Sequence, residues 1–411
     1  MKAFRIKTHK VVHPFDEAAR DLYVATKPVR QWQEDACVAC GLSLTEINDL
    51  AQLPAEPGIV FFDDVFFTEM ALRHFTADAM TVDEDIALAM PNSHAARATE
   101  PAGEVNRGED GSFIFDIFAL KSGRSFSSRD ELQKACVPKV QKLKNAPLTV
   151  RVPDFNDGPG LVDVEITARL VAHIRHWVHL LRLSQMSVAV LLLDAFRREP
   201  SRIIRTKWRK RLGRPSDDLR NFIHPSAFVH PTAHIENSII SENCTVGPHS
   251  HIHSSVLGSA VNVGDHVRLM GCTLAEKVQV LRSSDIAYCA AMPGANLSSQ
   301  KVQLSLFGRD VFLTSYAKIL DAKLRGSVHI EYEGRLIDLK TSFLGGCVGH
   351  RSILGADTTL QAGRAIPCGV TVVGDPNHVI SRVGKHEQGV ILTTKRGILV
   401  PLPSVSPESC E

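Results

Sequence analysis

Two aspartates in succession, Asp63 and Asp64, follow an unbroken apolar run at residues 59–62 and precede an amphipathic stretch that begins near Thr68. That order predicts a buried strand, a turn and a helix. Carboxylates at the carboxyl end of a strand are placed to hold Mg2+ against a phosphate-bearing ligand. The same residues also suit a solvated turn in which Thr68 caps the helix, and the spacing does not choose between the two. Histidine offers a second chemistry. His224, His230, His234, His249, His251 and His253 crowd one short segment, His266 follows soon after, and His329 and His350 stand apart. Imidazole serves as a general base near neutral pH or as a ligand to a transition metal. Cys37 and Cys40 form a C-x-x-C inside a helix-like run with no second pair at zinc spacing, which predicts buried thiols rather than a redox or metal centre.

Which of these groups become neighbours depends on the chain between them, and there the pattern is periodic. Aliphatic residues recur as Ile223, Val229 and Ile235, then Ile240, Val246 and Ile252, then Leu257, Val263 and Leu269, then Leu274, Val280 and Ile286. The steps run six, six and five and then repeat, so the four triplets stay in register. Each hexad supplies one short strand and one corner, three close a triangular coil, and coils stack at roughly 4.8 Å. A β-sandwich would alternate with period two over longer runs and would not keep a rigid hexad. The pattern resumes as Phe307, Leu313 and Ile319, and again as Val348, Leu354, Leu360, Ile366 and Val372. The gap at residues 320–343 predicts an excursion from the prism with the sequence EYEG, residues 331–334, at its tip. A coil of this length puts His234 under His251 and His249 under His266. A metal could bridge such a ladder, although no carboxylate or thiolate completes a tetrahedral set, and stacked side chains are ordinary on such coils.

Residues 1–165 read as mixed α/β, with a further strand near residues 112–120. The segment 171–196 is nearly long and apolar enough to span a bilayer, but Arg182, Gln185 and Asp194 interrupt it, which predicts a packed or surface helix. Residues 197–214 then hold nine Lys/Arg against Glu199 alone. Such a stretch suits an anionic membrane surface or a phosphate-rich ligand, and equally a solvated arm or a trimer contact. The 411 residues together carry only +2, which argues against nucleic acid as a partner, and 44% apolar content fits a globular protein of two or three domains. Nine cysteines behind a start, MKAFRIKTHK, that lacks an apolar stretch predict a cytoplasmic protein with free thiols.

The segment 22–42, LYVATKPVRQWQEDACVACGL, resembles the lysine-proline strand-to-helix passage of sugar-phosphate nucleotidyltransferases, and VFFDDVFFT resembles their metal-aspartate strand. With the C-terminal prism, the layout is similar to the bifunctional N-acetylglucosamine-1-phosphate uridyltransferase/glucosamine-1-phosphate acetyltransferase family, especially its archaeal-type members. The resemblance implies a first domain in which Lys27 meets a phosphate and Asp63 or Asp64 holds Mg2+. It also implies a left-handed prism that forms a homotrimer. That prism would transfer an acyl group from acetyl-CoA or another acyl-CoA to an amino sugar or sugar phosphate. The family's glycine-rich phosphate loop has no counterpart, because residues 1–21 contain no glycine, and a side chain at each position keeps the backbone from close approach to phosphate. The expectation is therefore a degenerate nucleotidyltransferase-like domain that does not transfer a uridylyl group.

Acyl transfer needs a base for the amine proton, and histidine suits it. The passage that follows the family's catalytic histidine has its nearest counterpart in MPGANLSS, which offers Asn296, yet no histidine occurs from residue 267 to 328. The role then falls to His329, at the start of the excursion, or to His350, unless Tyr288 or Asp285 substitutes. His350 is third in the hexad VGHRSI, beside Arg351, which could meet a phosphate of CoA. Tyr332 and Gly334 match the family's turn near the acceptor site. The rival expectations are a non-catalytic sensor or scaffold that binds a nucleotide sugar, and a membrane-surface adaptor acting through residues 197–214. The expected domains are an α/β nucleotidyltransferase-like unit at 1–165, a helical basic connector at 166–220, a left-handed β-helix at 221–385 and a tail at 386–411.

Overall fold

The computed structural model describes residues 2–98, 106–121, 126–142, 146–151, 161–199, 220–298, 301–380, 392–396 and 398–401, with single positions at 100, 102, 201, 383 and 390. A mixed sheet organises the first domain. Its main strands are β1 (Lys2–Ile6), β2 (Ser43–Ile47), β3 (Gly58–Phe62), β4 (Ile86–Met90), β5 (Phe113–Leu120) and β6 (Val137–Val140), and a seventh, the short Asn106–Arg107, pairs antiparallel with β5. They lie in the order β6-β4-β5-β3-β1-β2, all parallel to their neighbours except β5, which is antiparallel to both β3 and β4. Strands β3 and β5 are buried along their whole length, which is why GIVFF and FIFDIFAL read as unbroken apolar runs.

Helix α1 (Val29–Ala39) follows directly on Lys27 and Pro28 and packs against α2 (Glu69–Met80). Thr68 precedes α2, but its hydroxyl donates to Ala168 O at 2.7 Å instead of capping the helix. A short helix, α3 (Arg129–Ala135), is capped by Ser128, whose Oγ accepts from Glu131 N at 3.2 Å. The chain leaves β1 for β2 on one side and returns to β3 on the other. A crevice therefore opens at the carboxyl ends of β1 and β3, where such sheets place ligands. Asp63 and Asp64 stand at that edge.

The second domain is the expected prism. Its first face has eight parallel strands from Phe222–Ile223 to Ala365–Ile366, its second eight from Phe228–Val229 to Thr371–Val372, and its third five from His234–Glu236 to Val302–Gln303. Strand partners keep the sequence period as far as Ala291, so that Ile240, Leu257, Leu274 and Ala291 form one interior column. The next coil is one position shorter and brings Phe307 into the column. The coil after that is far longer, reaching Val348, because the excursion interrupts it. That excursion is an antiparallel hairpin, His329–Tyr332 with Arg335–Asp338, turning through Glu333 and Gly334 at positive φ. Corners are built from residues in the left-handed region, among them Asn243, Ala260, Lys277, Gly294, Asp310 and Arg351 in a single column. From Ala260 to Arg351 these corners donate their N–H to a carbonyl one coil away, and Asn243 N donates instead to Ser226 Oγ at 2.9 Å.

Helix α4 (Trp177–Arg198) joins the two halves. By length and apolar character it is able to cross a bilayer, yet it lies along the first face of the prism, over the strands Thr273–Leu274, Ala290–Ala291 and Leu306–Phe307. From the third strand of that face to the seventh, the outward residues Val256, Thr273, Ala290, Leu306 and Cys347 are buried. Their counterparts on the second face, Thr245, Asn262, Gln279 and Phe312, are exposed. One core then runs from Phe15, Leu22 and Trp32 through Trp177 and Leu181 of α4 to Ala290, Leu306 and Ile330 of the prism. Strand Val171–His173 pairs with Val65–Phe67, so the residues before α4 pack with the first domain. Of the basic stretch 197–214, residues 202–214 lie outside the described residues, and with them most of the surface on which a membrane contact was expected.

Candidate functional site

The crevice of the first domain is filled by its own charges. Asp63 is buried, and its Oδ1 accepts from Thr8 N at 3.0 Å and Thr8 Oγ1 at 2.8 Å. Burial, with Asp64 adding to it, pushes its carboxyl upward against the pull of Thr8 and Arg20. Asp64 is fully buried and gives both oxygens to Arg129, whose Nη1 and Nη2 each donate at 3.0 Å. Arg129 Nε donates to Asp116 Oδ2 at 2.5 Å, and His173 Nε2 meets the same oxygen at 2.8 Å. Burial raises the Asp116 carboxyl, but His173 and Arg129 together hold it well below the usual carboxylate range. The expected Mg2+ does not fit this arrangement. Both oxygens of Asp64 are engaged, and a guanidinium already supplies the positive charge. No group of three or more His, Cys, Asp or Glu among the described residues is placed to hold a metal ion.

Lys27 is likewise engaged, paired with Asp35 and lying 4.3 Å from the Trp32 ring centre. Of the C-x-x-C, Cys37 is the buried thiol expected and Cys40 is half-buried; burial pushes Cys37 up to about 12 and Cys40 upward as well.

The structure separates the two candidate histidines. His350 is buried at the corner where the ribbon Val11–Val12/Glu17–Ala18 meets the prism. Its Nδ1 accepts from Arg309 N at 2.8 Å, its Nε2 lies 3.2 Å from Glu17 Oε2, and the Phe15 ring covers it at 4.7 Å. Arg309 completes the clamp by donating to Glu17 Oε2 at 2.5 Å and to Asp21 O at 2.7 Å. Burial alone would raise Glu17, yet the bonds from His350 and Arg309 lower it to about 2. With both ring nitrogens committed, His350 is not free to accept a proton from a substrate. Arg351, beside it, is exposed in the left-handed corner.

His329 differs. Its Nδ1 lies 3.0 Å from Ser327 O, and a carbonyl only accepts, so Nδ1 carries the proton and Nε2 keeps its lone pair. Lys323 Nζ donates to the same carbonyl at 3.0 Å, and Arg364 Nη1 donates to His329 O at 3.0 Å. His329 is half-buried at the base of the hairpin, paired across it with Asp338. At the tip, Tyr332 packs its ring edge-on against His176 at 6.0 Å, which ties the proposed acceptor turn to the start of α4. Asn296 is half-buried on the second face, between Gln279 and Phe312, and its Oδ1 has no hydrogen-bond partner among the described residues. It lies in neither cluster. The histidine ladder stacks as the coil length predicts: His249 on His266 at 5.0 Å and His234 beside His251 at 5.7 Å. An open groove of about 290 Å³ on the third face is lined by His234, Glu236, His251, His253, Arg268 and Met270.

Sequence reasoning missed Arg129, Asp116, His173, Glu17, Arg309 and His176. Arg129 pairs with an aspartate 65 positions away and Arg309 with a glutamate 292 away, and neither separation leaves a local pattern.

The fold and its sites define a two-domain hexapeptide-repeat protein, an α/β sheet domain followed by a left-handed parallel β-helix. A family model described as GMPPB C-terminal domain matches residues 219–306, the first five coils of the prism, and relates them to sugar nucleotidyltransferases. No curated protein matches the chain.

Proposed function

We propose that this chain is a nucleotide-sugar-related transferase whose working chemistry has moved to the prism, where His329 serves as base for acyl transfer to an amino sugar or sugar phosphate. The observation that carries this reading is the fixed tautomer of His329. Ser327 O anchors Nδ1–H, so Nε2 is the atom available to take a proton from an attacking amine. An acyl-CoA is the donor in this reading, and the exposed Arg351 is a candidate for its phosphates. A homotrimer would complete the surface around the hairpin. The test is release of free CoA from acetyl-CoA in the presence of glucosamine 1-phosphate. His329→Ala should lower turnover by about 100-fold or more, in the range of a lost general base, while melting is unchanged. Absence of turnover with every amino sugar and sugar phosphate tried would reject the reading.

A second reading, a binding protein without turnover, is favoured by the closed pairing of Asp64 with Arg129. It predicts saturable binding of a nucleotide sugar, measured by calorimetry, with neither pyrophosphate exchange nor CoA release.

A further inference from the structure

The mismatch between the aspartates of the first domain and a divalent cation has an identifiable cause. We propose that Arg129 is a resident counter-ion, standing where a divalent cation would otherwise bridge Asp64 and Asp116. Two buried carboxylates, Asp64 just past the end of β3 and Asp116 within β5, repel each other and lose hydration, so the fold requires a positive charge between them. The guanidinium supplies it in a fork that fits both. It donates two bonds to Asp64 and more to Asp116, and it rests 4.3 Å from the Phe62 ring centre. A guanidinium cannot lose its proton or diffuse away, so the charge is permanent.

The groups around it are metal-ligand types nonetheless: two carboxylates and the His173 imidazole, which shares an oxygen of Asp116. Asp116 Oδ1 and His173 Nδ1 are buried without a hydrogen-bond partner among the described residues, so the cluster retains polar capacity that Arg129 does not use. A ligand held at this cluster must then bind without a divalent cation. Removing the guanidinium would leave the two buried carboxylates without their counter-charge, and a divalent cation drawn between them would be the replacement. This inference stands apart from acyl transfer at His329, and its readout is binding rather than activity.

Mn2+ serves as the probe, with the free ion followed by electron paramagnetic resonance and the full chain followed by thermal melting. The wild-type chain and Arg129→Lys should leave the free-ion signal unchanged and show no Mn2+-dependent melting shift. Arg129→Ala should melt lower, bind Mn2+ at least about tenfold more tightly than wild type, and regain melting temperature when Mn2+ is added. Asp64→Asn in the same chain should abolish that recovery. If the alanine variant does not fold, Arg129→Gln, which keeps much of the volume without the charge, is read in the same way. Mn2+ binding by the wild-type chain, or no Mn2+ response in any charge-removing variant, would overturn the proposal.

Discussion

Glu17 and His350 lie 333 positions apart in the chain and 3.2 Å apart in the fold. Arg309 joins them, so a carboxylate from the N-terminal ribbon is held by two cation-capable groups of the prism. Removing that carboxylate leaves the Arg309 guanidinium, whose side chain is 29% exposed, without its counter-charge. Glu17→Ala should therefore destabilise the chain by about 1–3 kcal/mol, read by urea unfolding, with the ribbon amides exchanging faster. The effect has a pH window. The folded value of about 2 lies below the ordinary 4.5, so this stabilisation is complete above pH 4.5 and lost as pH falls toward 2. The gap between wild type and variant should narrow over that range, and a gap independent of pH would contradict the clamp.

The prism faces make a paired prediction. Ala290 is buried under α4, whereas Gln279 points to solvent from the second face. Ala290→Arg forces a long charged side chain between helix and sheet and should lower stability by about 3 kcal/mol or more. Gln279→Arg should stay within about 0.5 kcal/mol of wild type. Comparable losses from both would mean that α4 does not dock on the first face.

Much of this architecture was legible in the sequence. The interior columns repeat at a fixed step, so Ile240, Leu257 and Leu274 announce a coil without any tertiary information. The hairpin appears as the longest break in that rhythm, at residues 320–343. The docking face was also written there and went unread: Val256, Thr273, Ala290 and Leu306, each preceding an interior residue, are apolar or small where the second face has Thr245, Asn262 and Gln279. The sites were far less legible. A residue type nominates a chemistry, but Asp64 and His350 are consumed by partners that only folding brings near, and Lys27 by Asp35 on the helix that follows it. His329 keeps a free nitrogen because its partner, Ser327 O, is local.

Thiol reactivity separates the two cysteines of the C-x-x-C. Cys37 is fully buried in the first-domain core and pushed to about 12, so almost none of it is thiolate at pH 8. Cys40 is only half-buried. Native protein treated with iodoacetamide should be labelled at Cys40 well before Cys37, with Cys37 reacting only on unfolding. Equal labelling in the native state would place α1 differently.

His176 sets a pH dependence of its own. Its Nδ1 accepts from Val178 N at 3.3 Å and caps α4, while Nε2 meets Glu331 O at 3.2 Å, so the ring must be neutral to hold helix start and hairpin tip together. Burial pushes it down to about 4, against a raising effect from Glu331. An unfolded chain, with the ordinary value near 6.5, binds the proton more readily. Stability from this group is therefore complete above pH 6.5 and declines as pH falls toward 4. At about 1.4 kcal/mol per unit, the total is roughly 3 kcal/mol. His176→Gln can still accept and donate but does not titrate, so its unfolding free energy should fall less steeply between pH 6.5 and 4 than that of wild type. Because Glu331 and Tyr332 belong to the hairpin that begins at His329, the same acid step should speed amide exchange across residues 329–338 in wild type and not in the variant. Parallel pH profiles for the two chains would show that the imidazole is not buried as a neutral link between α4 and the hairpin.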